Sequence, residues 1–456
     1  MTSSFFGLQI GLSALRAHQR SMETITHNIA NVNTEGYSRQ EVSLASRWLP
    51  IEQRSGGGFL GAGVDVVDVR RYASRFLTEQ IRRESGEKAR WEVLSDALSQ
   101  VQVIFNEPSE EGLGAALDRF WGGWKDLGTD PTNFALRARL REIAEELASL
   151  IRQKYQELLA LREELNRRIR DAVRQVNDLA AHIANVDRQI RQGTGIAGAP
   201  NDLLDERDRL LTELGRVIRI SVSTREDGSV TVSVGGHLLI SKQGAHEIAE
   251  GADLVWAEDG APVRVLGGEL AGLLEARDVE VPSYIDRLNE LTHALITGVN
   301  SVHRNGYGLN NATGLDFFSG TDASDVAVAA PILEDLDNIA AASAPEAPGD
   351  GSQALEIAAL ADQPLLSEGA TPGTFYSTMV ALIGIGVRQA DAVTRNQSVL
   401  LRHLEERREA ISGVSLDEET VKLVASQRAY EAAARVITAM DEMLDRLINS
   451  TGVVGR

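Results

Sequence analysis

Gly56-Gly57-Gly58-Phe59-Leu60-Gly61 fits the spacing GxGxxG. Glycines so spaced cradle a pyrophosphate only where a strand precedes them and a helix follows. Here the alternation from Val64 to Val69 predicts a strand after the glycines, so the segment reads as a flexible loop. The eight histidines are scattered. His18 and His27 are nine apart and share no helical face; His293 and His303 are ten apart, and none forms HxxxH or HExxH. No serine sits in GxSxG, and no Gly-Lys-Ser/Thr phosphate loop occurs. Glu334-Asp335-Leu336-Asp337 lacks the spacing and the glycine of a calcium loop. Carboxylates are too numerous for any pair to stand out as acid and base. The chain has no cysteine, which removes disulfides, thiolate metal sites and thiol nucleophiles and suits a protein that must not cross-link in transit. No catalytic, cofactor-binding or metal-ligating residue is expected, and no cofactor.

The chain has 456 residues, a net charge of −20 and only 5% aromatics. That acidity argues against nucleic acid and against an anionic membrane surface. A core poor in aromatics must be built from Leu, Ile, Val and Ala, which suits packed helices. The charge is uneven: Asn305 to Val387 holds eleven Asp or Glu and no Lys or Arg. No apolar run is long enough to cross a membrane as a helix, and the apolar start at Phe5–Leu12 lacks the basic flank and cleavage site of a signal peptide. Export, if it occurs, is expected by a route without a cleaved signal.

The elements that could position anything are helices. Leu8, Leu15, Met22 and Ile29 recur every seven residues, with Leu12 between. Leu423, Tyr430, Ala433, Ile437, Met440, Leu444 and Leu447 make a second stripe near the other end. Each stripe is one apolar seam that needs a partner helix, and the two terminal seams are expected to meet. Leu165, Ile169, Ala172, Val176, Leu179, Ile183, Val186 and Ile190, extended upstream by Leu158 and Ile151, predict a helix from about Thr132 to Gln192. Unbroken, it would be roughly 90 Å long. Further helices are predicted over Val281–His303 and Thr374–Ser412. Ile218, Ile220 and Val222, the turn Glu226-Asp227-Gly228, and Val230, Val232 and Val234 predict antiparallel hairpins. A second β piece is predicted at Val64–Val69. The expected fold is mainly α with a smaller β part: a long coiled-coil-like rod, paired terminal helices and an inserted antiparallel β domain. The expected division is a terminal helical unit (1–50 with 413–456), a helical rod (51–214, 269–309 and 374–412), a small β domain (215–268) and an acidic, irregular surface segment with short helices (310–373).

Asn28-Ile29-Ala30-Asn31-Val32-Asn33-Thr34-Glu35-Gly36-Tyr37 reads first as a helix stop, because Asn33 and Gly36 tolerate left-handed backbone and either could cap the helix. It also resembles the signature of the flagellar rod, hook and hook-associated axial family. The continuation Ser38-Arg39-Gln40 is similar to the first hook-associated, or hook–filament junction, branch; a hook or distal rod protein is the alternative, with such members more often carrying Lys or Phe there and the long central helices arguing against it. Gln427-Arg428-Ala429-Tyr430-Glu431-Ala432-Ala433-Ala434-Arg435-Val436-Ile437 resembles the family's terminal helix, and Leu203–Leu211 its central pattern. An unrelated coiled-coil scaffold would need no such paired terminal motifs. Family members can carry a larger outer domain; 310–373 is compact here, so outer-surface features are not carried over. The resemblance implies a structural subunit, extracellular, in a helical array of copies of itself. Its neighbours would be the hook protein and a second hook-associated protein, and a cytoplasmic export chaperone would cover the C-terminal helix. It implies no nucleic acid and no membrane insertion. The self-assembly residues it implies are the two stripes together with Asn31, Asn33, Gly36 and Tyr37.

Overall fold

The computed structural model describes residues 5–51, 58–193, 200–225, 227–249, 251 and 253–449. Helix α1 (Phe5–Ala30) leads into a long hairpin, β1 (Gln40–Ile51) and β2 (Gly58–Arg71). Then come α2 (Arg75–Phe105), α3 (Leu113–Thr129), α4 (Phe134–Gly193) and α5 (Asn201–Val217). Six short strands follow: β3 (Ser221–Thr224), β4 (Val230–Val234), β5 (His237–Ser241), β6 (Gly244–Ala245), β7 (Ile248–Ala249) and β8 (Val255–Trp256). Helix α6 (Glu269–Glu275) runs through a π turn, Ala276–Glu280, into α7 (Val281–His303). Pro282 at the start of α7 has no N–H to donate to the preceding turn, which accounts for the wider winding there. Strands β9 (Phe318–Ser319) and β10 (Ala327–Val328) and helices α8 (Ala330–Glu334) and α9 (Ser352–Ala359) precede the long α10 (Pro372–Ser412) and α11 (Leu416–Asn449). The expected class, mainly α with a smaller antiparallel β part and paired terminal helices, is the one observed.

Helix α4 has 60 residues and forms the spine. Its seam residues Ile151, Leu158, Leu165, Ile169, Val176 and Ile183 are buried against α2, α3, α5, α6 and α7. Val186 is the exception and is half-exposed. The buried place beside it goes to Asp187, which binds Arg207 (2.9 Å), Arg191 (2.8 Å) and the Val230 amide (3.1 Å). One carboxylate thus ties α4 to α5 and β4. Strands β3 to β6 form an antiparallel sheet in sequential order.

Two expectations need correction. The β piece at Val64–Val69 is part of a ribbon from Gln40 to Arg71, so the stretch counted with the first helix contains β1. The segment 310–373 is irregular with short helices and many exposed residues, but it is not surface alone: Phe317, Phe318, Ile332, Ile339 and Ile357 are buried. It is pinned to α4 by Arg137, whose guanidinium donates to the carbonyls of Leu336 (3.1 Å) and Ile339 (2.8 Å), and by Arg152, which donates to Val326 O. Its apolar residues are spaced without a period, so pattern alone gives no sign that they are buried. The loop 52–57, with Gly56 and Gly57, lies outside the described residues, as does Glu226; from Gly58 the chain is strand, so a strand follows the glycines.

Candidate functional site: the terminal helix pair and its polar joint

Helices α1 and α11 pack along each other through small residues. An added Cβ at Gly7 would come within 2.7 Å of Met440 Cε, and one at Gly11 within 2.7 Å of Ile437 Cγ1. The face of α1 that is buried carries Gly11, Ala17, Thr24, Ile25 and Asn28. The expected seam is rotated away from it. Leu8, Leu15, Met22 and Ile29 are half-buried, and Leu12 is 42% exposed. A leucine stripe marks apolar surface without saying whether the same chain covers it. On α11 Ala433 is buried, Ile437 and Met440 lie against Gly11 and Gly7, and Leu423, Tyr430 and Leu444 are half-buried. The Leu447 side chain lies outside the described residues. Val424, Val436 and Met443 are exposed on the outer side.

At one end the pair is closed by a polar joint. Asn28 is fully buried and every one of its hydrogen-bonding positions is used. Its Nδ2 donates to Gln40 O and to Glu419 Oε2, both at 2.8 Å. Its Oδ1 accepts from Tyr37 Oη (2.7 Å) and from the Gln40 amide (3.0 Å). One amide therefore joins α1, the turn after it, β1 and α11. Burial, reinforced by Asp202, Asp205 and Glu419, pushes the Tyr37 phenol well above its ordinary value, so it remains a donor.

The other sequence-expected residues shape the turn. Asn31 Nδ2 donates to His27 O (3.0 Å), and Asn31 Oδ1 accepts from Thr34 Oγ1 (3.1 Å). The Tyr37 amide donates to Thr34 O (3.2 Å) with Gly36 at φ +81°, a turn whose third position calls for glycine. Gly36 therefore serves that turn, six residues past the end of α1, and is no helix cap. Asn33 is exposed and is not among the described residues with positive φ.

Sequence reasoning missed the acceptor side of the joint. The Ser38 amide donates to Asp205 (2.9 Å), Gln40 Nε2 to Asp202 (2.8 Å), and Asn201 Nδ2 to Gln40 Oε1 (3.1 Å). Arg71 bridges Asp205 (2.7 Å) and Asp208 (2.8 Å). Burial pushes the Asp205 carboxyl up, against the Ser38 amide and Arg71, which hold it down. The Arg39 amide donates to Ser412 O (2.8 Å) at the α10–α11 junction. Asn28, Gln40 and Glu419 thus fasten the terminal pair, and α5 fastens both to the rod. The signal that could have found the pair is the small-residue row Gly7, Gly11, Ala17 and Thr24 leading to Asn28; nothing local marks Glu419. Among the described residues no group of three or more His, Asp or Glu is placed to hold a metal, and no helix is long and apolar enough to cross a membrane.

Three family models match the chain. One described as Flagellar hook-associated protein FlgK helical domain covers residues 98–318; Flagellar basal body rod FlgEFG protein C-terminal covers 409–450; Flagella basal body rod protein covers 8–37. Flagellar hook-associated protein 1 of Bacillus subtilis is 28% identical, with 100% of each chain covered. Flagellar hook-associated protein 1 of Salmonella typhimurium is 30% identical over 68% of this chain and 58% of its own length, so this chain spans little more than half of that relative. Among solved structures, the flagellar hook junction protein FlgK from Burkholderia pseudomallei has the same fold at 14% identity, with a TM-score of 0.64 over 73% of this chain and 100% of that one.

Proposed function

Since the chain belongs to the flagellar rod, hook and hook-associated protein family, we propose that it is a structural subunit of the bacterial flagellum that joins hook to filament. It assembles through its terminal helices and is needed for the filament to form. Its role is mechanical and assigns no reaction to it. The observation that carries the reading is the half-closed terminal pair: α1 and α11 cover each other's small-residue faces, while Leu12, Val424, Val436 and Met443 stay exposed and the Leu8–Ile29 stripe only half-covered. Apolar stripes left open on both helices of a pair suit burial against further copies.

Its partners are then copies of itself in a helical array, the hook protein on one side and a second hook-associated protein on the other. Before export through the flagellar apparatus, a cytoplasmic chaperone holds α11 in a groove; a chain ending at Gly413 should lose that binding in a pull-down. The assembly residues are the two stripes, with Asn31, Asn33, Gly36 and Tyr37 setting the turn that directs α1 into the joint. The test is electron microscopy of cells lacking the chain. Hooks without filaments support the junction role, and filaments still attached to hooks defeat it.

A further inference from the structure

Beside the joint, between the start of α2, helix α5 and strands β3 and β4, lies a cavity of about 340 Å³. Its lining includes Arg71, Arg75, Arg82 and Arg207 against Glu79 and Asp208. Two of the four cations are spoken for. Arg71 bridges Asp205 and Asp208, and Arg207 is held by Asp187 (2.9 Å) and the Gly228 carbonyl (2.8 Å). Arg82 is different. It is 9% exposed, makes no ion pair or hydrogen bond among the described residues, and its Nε is buried without a partner. Its side chain runs over Gly215, where an added Cβ would meet Arg82 Cγ at 2.3 Å, so the glycine leaves it room. Burial lowers its pKa, and the distant pull of Asp208 and Glu79 does not offset this.

A buried guanidinium is normally paired, because desolvating it without a counter-charge is costly. Arg75, Thr78 and Arg82 fall three and four apart on one face of α2, so the face presents to one cavity a hydroxyl and two cations that pair with none of the described residues. We propose that this cleft is an oxyanion site, in which Arg82, with Arg75 at the rim, receives a carboxylate or phosphate group. Planar guanidinium forks suit both.

The source of the anion rests on the assembly reading above. The chain carries its own complement in the stretch Asn305–Val387, with eleven acidic residues and no Lys or Arg. That stretch is bound to α4 at Arg137 and Arg152, whereas the cleft lies near Asp187. The 35 residues between Arg152 and Asp187 are about 50 Å of helix, so the two cannot meet within one chain. Between stacked copies they can. A free phosphate would use the same chemistry.

The test is thermal melting of the full chain in sodium phosphate and in sodium acetate, each against sodium chloride at equal ionic strength. The expected result is a saturable anion-specific rise in melting temperature, at least tenfold weaker in apparent affinity in Arg82→Met. Arg75→Ala, at an exposed position with no ion pair or hydrogen bond to a described residue, should weaken it as well. No saturable response to either anion, or an equal response in both variants, overturns the proposal. Sub-millimolar phosphate affinity with assembly unaffected by Arg75→Ala assigns free phosphate. Weak binding of either anion, with copy-to-copy assembly lost in Arg75→Ala, assigns the neighbour's carboxylate. A wild-type chain that never polymerises would defeat the assembly reading and leave the titration standing.

Discussion

Helix α4 and the α1–α11 pair are written in the same apolar spacing of threes and fours, yet their seams meet different fates. On α4, Leu147, Leu158, Leu165, Val176 and Ile183 are sealed by helices of the same chain. On the pair, Ala17, Ile25 and Ala433 are the buried hydrophobic residues among those described. The rod is closed by its own chain; the pair is fastened at one end by Asn28, is met by the β1–β2 ribbon where the Val64 amide donates to Ser13 Oγ (3.2 Å), and is otherwise left partly open. On the proposed role of the pair, stability and assembly belong to two different seams, and each should break without the other.

The largest effect is expected from Ile437→Asp combined with Leu444→Asp. Each replaces a half-buried side chain of α11, Ile437 being the one that lies against Gly11. Burying such a side chain contributes about 1.5–3 kcal/mol, and an unpaired carboxylate in its place adds a desolvation cost of similar size. The loss recurs in every copy, so assembly and motility should be abolished while the melting of the rod stays unchanged by circular dichroism. Motility at the wild-type level with this variant in the flagella would remove the distinction.

The converse variant is Leu158→Ala, at a fully buried position in the middle of α4. Truncating a sealed leucine costs about 2–5 kcal/mol. Chemical denaturation should show that loss, and the surviving folded protein should still assemble. A cost below about 1 kcal/mol would mean that the rod is as loosely closed as the ends.

Why the rod could be read from the sequence and the joint could not follows from the same difference. An unbroken period over Ile151–Ile190 has one physical meaning, and only Val186 departs from it, where Asp187 holds the buried place. The hairpin is harder. Register shifts between Ser43 and Leu44 and between Arg47 and Trp48 break the alternation that would have revealed β1. The joint is harder still, because buried polar groups have no period. Asn28 finds Glu419 391 residues away, and only the fold brings them together. The α1 stripe was visible as apolar, but which side of it the chain would cover was not.

Acid offers a graded test of the closed region. His303 is buried at the end of α7, where its Nδ1 lies 2.7 Å from Leu315 O and its Nε2 accepts from the Ala340 amide at 2.9 Å. That arrangement needs the neutral ring protonated at Nδ1. Burial is the main reason its pKa falls to about 4. The unfolded chain, with an ordinary histidine near 6.5, binds the proton first. Stability is thus full above about pH 6.5 and falls as pH drops from there toward 4, by on the order of 3 kcal/mol in total. Denaturation midpoints at pH 7 and pH 4.5 should differ by that kind of amount, and His303→Gln should flatten this part of the profile. Among its described residues the terminal pair has no buried histidine, so it should show no matching loss.

The finest distinction lies within the pair itself, between Gly7 and Gly11. Both leave space for α11, and an added Cβ at either would come within 2.7 Å of its neighbour. At Gly7 the neighbour is Met440 Cε, the free end of an unbranched chain that can swing aside. At Gly11 it is Ile437 Cγ1, close to the backbone of a β-branched residue with one preferred rotamer in a helix, with Ala433 O at 3.9 Å behind it. Alanine gains up to about 1 kcal/mol over glycine in a helix. For Gly7→Ala that gain should stand, somewhat reduced because Gly7 is in the first turn. For Gly11→Ala, overpacking of about 1–3 kcal/mol should exceed it. The two substitutions are chemically identical and four residues apart, so they should shift the pair in opposite directions. Hydrogen exchange of α1 amides reads this directly: slower or unchanged in Gly7→Ala, faster in Gly11→Ala, with α4 amides unaffected in both. Equal exchange in the two variants would mean that α1 and α11 are not held at this spacing in solution.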